Sequence, residues 1–111
     1  MDHSFNTDIA IKFGVHEAVF IHNMFFWIEK NRANNKHFYE NNYWTYNSLT
    51  ALEKLFPYLT RSQIRTTINN CVNSGAVIRG VFNKEGYDKT AWFSLSDDIT
   101  CLYTGCAKID T

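Results

Sequence analysis

Pro57 is the only proline in the chain, and it falls between two amphipathic helical patterns. It ends the first of them, because its ring removes a backbone donor and clashes with the preceding turn. The stretch Pro57-Tyr58-Leu59 is therefore a turn. Ahead of it, Asn47 is placed to cap a helix running to Phe56, with Leu49, Leu52, Leu55 and Phe56 on its inward face. Behind it, Thr60 and Gln63 have the spacing of a capping box, in which each side chain satisfies the other residue's backbone N–H. Gly75 supplies a left-handed residue that closes this second helix after Ser74.

Two strand-like runs follow, Val77–Phe82 and Ala91–Leu95, separated by the polar loop 83–90 with Gly86 at its centre. Upstream, Asn6–Phe13 reads as a short helix with Thr7 as its cap and Asp8 in the first turn, broken by Gly14. Val15–Asn31 reads as one long helix. Val15, Ala18, Val19, His22, Phe25 and Phe26 form a stripe, which Phe20, Ile21, Met24, Trp27 and Ile28 widen around much of the circumference. Such a helix is buried on most sides and forms the centre of a small domain. Its apolar run is too short and too interrupted by His16, Glu17, His22 and Asn23 to cross a membrane. The asparagine-rich stretch 31–42 reads as a loop, and 43–46 (Tyr-Trp-Thr-Tyr) as a short strand. Ser96, Asp97 and Asp98 are placed to cap a last turn before a frayed end.

Helix, turn, helix and hairpin in that order make an α+β, mainly helical fold: a winged helix-turn-helix with a long core helix and a two-stranded β-hairpin wing. It is expected to occupy residues 1–96, with 97–111 as a carboxyl-terminal tail. A length of 111 residues is one domain's worth, and an aromatic content of 16% argues for a packed core and against disorder.

Eleven basic residues balance eleven acidic ones, so net charge gives no sign of a nucleic-acid partner. Its distribution does. Residues 61–90 carry five basic and two acidic side chains, whereas the segments on either side are net negative. The positive charge sits in the second helix and the hairpin, the elements such a fold lays against DNA.

On the second helix, Ile64, Ile68, Cys71 and Val72 face inward. The opposite face carries Ser62, Thr66, Asn69 and Asn73, flanked by Arg65 and Asn70, and has no carboxylate. Hydroxyls, amides and guanidinium groups hydrogen-bond to base edges and phosphates: Arg65 suits guanine and Asn69 suits adenine. Arg61 at the start of the helix, with Arg79, Lys84 and Lys89 on the hairpin, suits the phosphate backbone. The DNA-contacting set is thus Arg61, Ser62, Arg65, Thr66, Asn69, Arg79, Lys84 and Lys89.

No catalytic constellation accompanies this face. His16 and His22 are six apart and do not share a helix side, and paired carboxylates and a glycine-rich phosphate loop are lacking. His22 on an apolar stripe reads as a hydrogen-bonded core residue. Of the three cysteines, Cys71 reads as an inert core thiol, and Cys101 and Cys106 lack the partners a zinc site needs. The expectation is a non-enzyme with no cofactor and no metal. The polar amino terminus lacks a secretory pattern, and the expected compartment is a reducing cytoplasm.

Several strings carry a family resemblance. Phe5-Asn6-Thr7-Asp8-Ile9-Ala10 before Gly14, Phe26-Trp27-Ile28-Glu29, Asn31-Arg32-Ala33-Asn34 and His37-Phe38-Tyr39 are four of them. Trp44-Thr45-Tyr46-Asn47-Ser48, Leu55-Phe56-Pro57-Tyr58-Leu59 and Gln63-Ile64-Arg65 complete the set. Across most of residues 5–95 the chain resembles the winged-helix replication proteins of phages and prophages, the replisome organisers related in fold to DnaD-type amino-terminal domains. The resemblance implies binding of double-stranded DNA at a replication origin and contact with other replication proteins. Such proteins usually continue into a second region, whereas this sequence stops soon after the hairpin. A contrasting expectation is a protein-interaction module, a homodimer or hetero-complex using the apolar excess around Phe20, Met24 and Trp27, or a transcriptional regulator on the same scaffold.

Overall fold

The computed structural model describes residues 2–82 and 90–105, which form an α+β unit of five helices and two small antiparallel sheets. Helix α1 spans Thr7–Phe13 and α2 spans Val15–Ala33. The α1 cap is Asn6 and not Thr7: the Ile9 N–H donates to the Asn6 side-chain oxygen at 3.1 Å. Thr7 is already the first helical residue. Gly14 joins the two helices at φ 110° and ψ 159°, a region open essentially to glycine alone. The strong break read at this position has that cause.

Helix α2 is the centre of the molecule. Ala18, Phe20, Ile21, Met24 and Ile28 are buried, and the helix packs against α1 on one side and the later elements on the other. Its remaining flank is partly covered by α5, Asp97–Thr104, which Ser96 caps by accepting from the Ile99 N–H. The Tyr103 ring stacks on Phe25 at 4.3 Å, and its hydroxyl lies 3.2 Å from His22 Nδ1. Regular structure thus continues into the segment read as a tail. Phe20 and Met24 are consumed by the core, so the surface expected for a dimer is not exposed at those two positions. Among the described residues no helix is long and apolar enough to cross a membrane.

Helices α3, Leu49–Leu55, and α4, Arg61–Asn73, flank the proline turn. Helix α3 begins after Ser48, whose hydroxyl accepts from the Ala51 N–H at 3.1 Å. The expected cap, Asn47, is instead the last residue of a strand. The α4 capping box forms on both sides: Gln63 N–H donates to Thr60 Oγ1 at 3.1 Å, and Thr60 N–H donates to Gln63 Oε1 at 2.9 Å. Ile64, Thr67, Ile68 and Cys71 face the core, and Gly75 follows the helix at φ 83°.

Strands β4, Val77–Gly80, and β5, Ala91–Leu95, pair antiparallel as expected. The sheet has three strands, however, in the order β3-β5-β4, because β3, Thr45–Asn47, pairs with β5 along its other edge. The stretch 31–42 also departs from its reading as a loop. It contains β1, Phe38–Tyr39, paired with β2, Asn42–Tyr43, through a two-residue turn in which Glu40 and Asn41 have φ of 50° and 63°. Two consecutive positive φ values match the strand twist, and composition conceals this because glutamate is not the residue usually placed there.

The sheet has two packed faces. Val77, Phe93 and Leu95 face the helices, where Phe93 meets Phe20 edge-on at 5.5 Å. The other face carries a second aromatic cluster: Phe82 stacks on Tyr39 at 4.8 Å and contacts Trp44 at 4.7 Å, while Trp92 contacts Tyr46 at 4.7 Å. The β1–β2 hairpin closes over it, held by Trp44 Nε1–H donating to the Tyr39 carbonyl at 2.9 Å. Both faces of the three-stranded sheet are thereby packed.

Candidate nucleic-acid interface

The exposed face of α4 carries Ser62, Arg65, Thr66, Asn69 and Asn73. Its polarity follows from the helical period that turns Ile64, Ile68 and Cys71 inward. Asn70 is exposed but already occupied. Its amide donates at 3.0 Å to Glu17, a largely buried carboxylate in the first turn of α2, and so ties α4 to the central helix. Thr67, also buried, donates back to the Gln63 carbonyl.

Arg79 reaches α4 by strand geometry. It lies two residues beyond Val77 on β4, and alternation puts both on the sheet face that meets the helices. Val77 is inside the core, but Arg79, opposite Phe93, is past its edge and exposed. The outcome is a concave cleft of about 630 Å³ lined by Arg65, Ile68 and Asn69 of α4, Arg79 of β4, Ser48, Leu49 and Leu52 at the start of α3, and Thr90. Among the described residues no carboxylate lines it. Neither Arg65 nor Arg79 forms an ion pair among the described residues.

Of the side chains read as DNA contacts, the structure brings Arg65, Asn69 and Arg79 to this cleft. Ser62 and Thr66 are exposed on the same helix but do not line it. Arg61 is committed elsewhere: its guanidinium donates to Glu53 of α3 at 2.6 Å. That hydrogen bond is the chief cause holding the Glu53 carboxyl below its ordinary value, with the charges of Arg61 and Arg65 adding to it. Lys84 and Lys89 lie outside the described residues. Ser48 escaped the sequence reading because the helix cap was placed one residue early.

The other titratable features concern structure more than chemistry. Burial, helped by Glu17, pushes the Cys71 thiol up to about 12, so it is a protonated core group. Cys101 is disulfide-bonded and therefore departs from the reduced state that a reducing compartment implies, while Cys106 lies outside the described residues. His22 is a half-buried hydrogen-bonded residue of α2, as its place on the apolar stripe suggests. Among the described residues no three His, Cys, Asp or Glu side chains gather into a group able to hold a metal ion.

No protein family, curated protein or solved structure matches the chain. The functional reading therefore rests on residues and geometry.

Proposed function

We propose that this protein is a winged helix-turn-helix that binds double-stranded DNA, with α4 as the recognition helix and the β4–β5 ribbon as the wing. One observation carries the reading: Arg65 and Asn69 from a helix and Arg79 from a strand converge on one concave cleft that no carboxylate lines among the described residues. A helix face held clear of its own core can enter a major groove, and a cation on the adjoining ribbon then meets the sugar–phosphate edge. Arg65 and Asn69 are the base-reading pair, and Arg79, with Lys84 and Lys89, which lie between the two strands in sequence and outside the described residues, neutralises phosphates. The resemblance to phage and prophage replication proteins adds a role at a replication origin, where a bound duplex is handed to other replication factors.

The test is a salt titration on mixed-sequence duplex DNA followed by fluorescence anisotropy. Each phosphate contact contributes about −0.9 to the slope of log K against log salt. Three cations (Arg79, Lys84 and Lys89) weaken binding about 40-fold between roughly 50 and 200 mM salt. Absence of any duplex binding at the lower concentration refutes the proposal.

A further inference from the structure

A second depression, of about 370 Å³, lies between the carboxyl end of α2 and the edge strand β3. Trp27, Lys30 and Asn31 of α2, with Asn34, Lys36 and His37 after it, line one side; Thr45, Tyr46 and Asn47 line the other. We propose that this groove binds an unpaired nucleotide of a single-stranded polynucleotide, apart from the duplex site.

Three properties carry the inference. Among the described residues the groove holds two ammonium groups and no carboxylate, and neither Lys30 nor Lys36 forms an ion pair. The nearby pair Glu29–Arg32 closes on itself and lines a different depression. The groove also offers ring surface beside those cations: Trp27 is 36% and Tyr46 49% exposed, and the Lys30 ammonium is held 4.9 Å from the Trp27 ring centroid. Lastly, it is concave and of the size that takes one small-molecule unit, about 300–1,000 Å³. Duplex DNA keeps its bases stacked inside and presents only phosphates to such a recess. An unstacked base can enter it, lie against the rings and leave its phosphates to the lysines. The amides of Asn34 and Asn47 supply edge contacts; that of Asn31 is spent on the Trp44 carbonyl at 2.8 Å.

Position relates the two sites. Asn47 lines this groove and Ser48, the next residue, lines the α4 cleft. The β3–α3 junction thus contributes to the lining of both depressions. Single-strand capture does not need the duplex reading to hold.

The experiment measures binding of fluorescent oligo(dT) and oligo(U) 12-mers to the full chain by anisotropy and by intrinsic tryptophan emission. Trp44 and Trp92 are 4% and 6% exposed, so a change on binding reports Trp27. The substitutions K30Q and K36Q together, both at exposed positions, are expected to weaken binding about 25-fold at 0.1 M salt and to reduce the salt slope by about 1.4. Blunt duplex binding by that variant stays within about twofold of the parent. Preference for one of the two oligomers identifies DNA or RNA as the strand. No binding of either oligomer at low salt, or binding that K30Q/K36Q leaves unchanged, overturns the proposal. If oligo(dT) binds with Trp27 quenching and blunt duplex does not, the groove assignment stands and the α4 reading falls.

Discussion

Replacing Arg65 and Arg79 together by glutamine tests the cleft most directly. Both side chains are exposed and unpaired among the described residues, so their removal costs the fold little, within about 0.5 kcal/mol each. Their removal from DNA is costly. If both neutralise phosphates, the slope of log K against log salt becomes shallower by about 1.8, and binding at 0.1 M weakens about 60-fold. Put differently, about 12-fold of the weakening between 50 and 200 mM disappears. The single variants divide the roles. Arg79→Gln on the ribbon is expected to change slope and affinity together by one phosphate's worth, on every duplex tested. Arg65→Gln, if its guanidinium reads a guanine, leaves the slope near the parental value and costs about 1–3 kcal/mol on the preferred sequence alone. Anisotropy at four salt concentrations with two duplexes resolves all of this. A double variant with parental affinity and parental slope refutes the assignment of the cleft to DNA, because no other arrangement of these two charges leaves both quantities untouched.

Ser48→Ala is expected to destabilise the fold by about 1 kcal/mol in urea, as loss of a helix cap does, whereas Asn47→Ala does not act through that cap. The Cys71 thiol, raised to about 12 by burial, stays protonated in the native state. The unfolded thiol ionises near 8.5. Stability contributed at this site is thus complete below about pH 8.5 and is lost as pH rises toward 12; alkylation of Cys71 at pH 8.5, followed by peptide mapping, should proceed no faster than global unfolding. Glu53→Gln releases Arg61 from its ion pair and is expected to steepen the duplex salt slope by about 0.9, a gain of one cation. An unchanged slope in that variant removes Arg61 from the DNA contacts.

The α4 boundaries were legible because their determinants are local: a capping box three residues apart and a glycine with one backbone role. The central place of α2 was legible for a different reason, since a helix apolar over most of its circumference has few alternatives to burial. Where the sequence misled, the deciding partner was remote. Asn47 has the side chain of a cap, but its backbone is claimed by Ala91, forty-four residues on, through the β3–β5 pairing. The β1–β2 hairpin is stabilised by Phe82 and Trp92 across the sheet, and nothing between Asn31 and Asn42 announces them. Arg61 looked like a DNA contact because Glu53 lies across a turn whose path composition does not define.

The same distinction explains how a chain of zero net charge can present cationic surfaces. Ion pairing is selective here: Glu29 takes Arg32 and Glu53 takes Arg61, and both pairs lie outside the two depressions. Glu17 is buried against Asn70. The acidic residues Asp97 and Asp98 sit in the first turn of α5, where the helix dipole favours them and where they serve the fold. Arg65 and Arg79 on one side of the β3–α3 junction and Lys30 and Lys36 on the other form no ion pair among the described residues. Screening at physiological salt acts over about 8 Å, so a polyanion in either depression responds to the cations that line it and only weakly to the whole-molecule sum. Net charge governs solubility and long-range encounter; the contact itself is governed by which charges the fold leaves without partners.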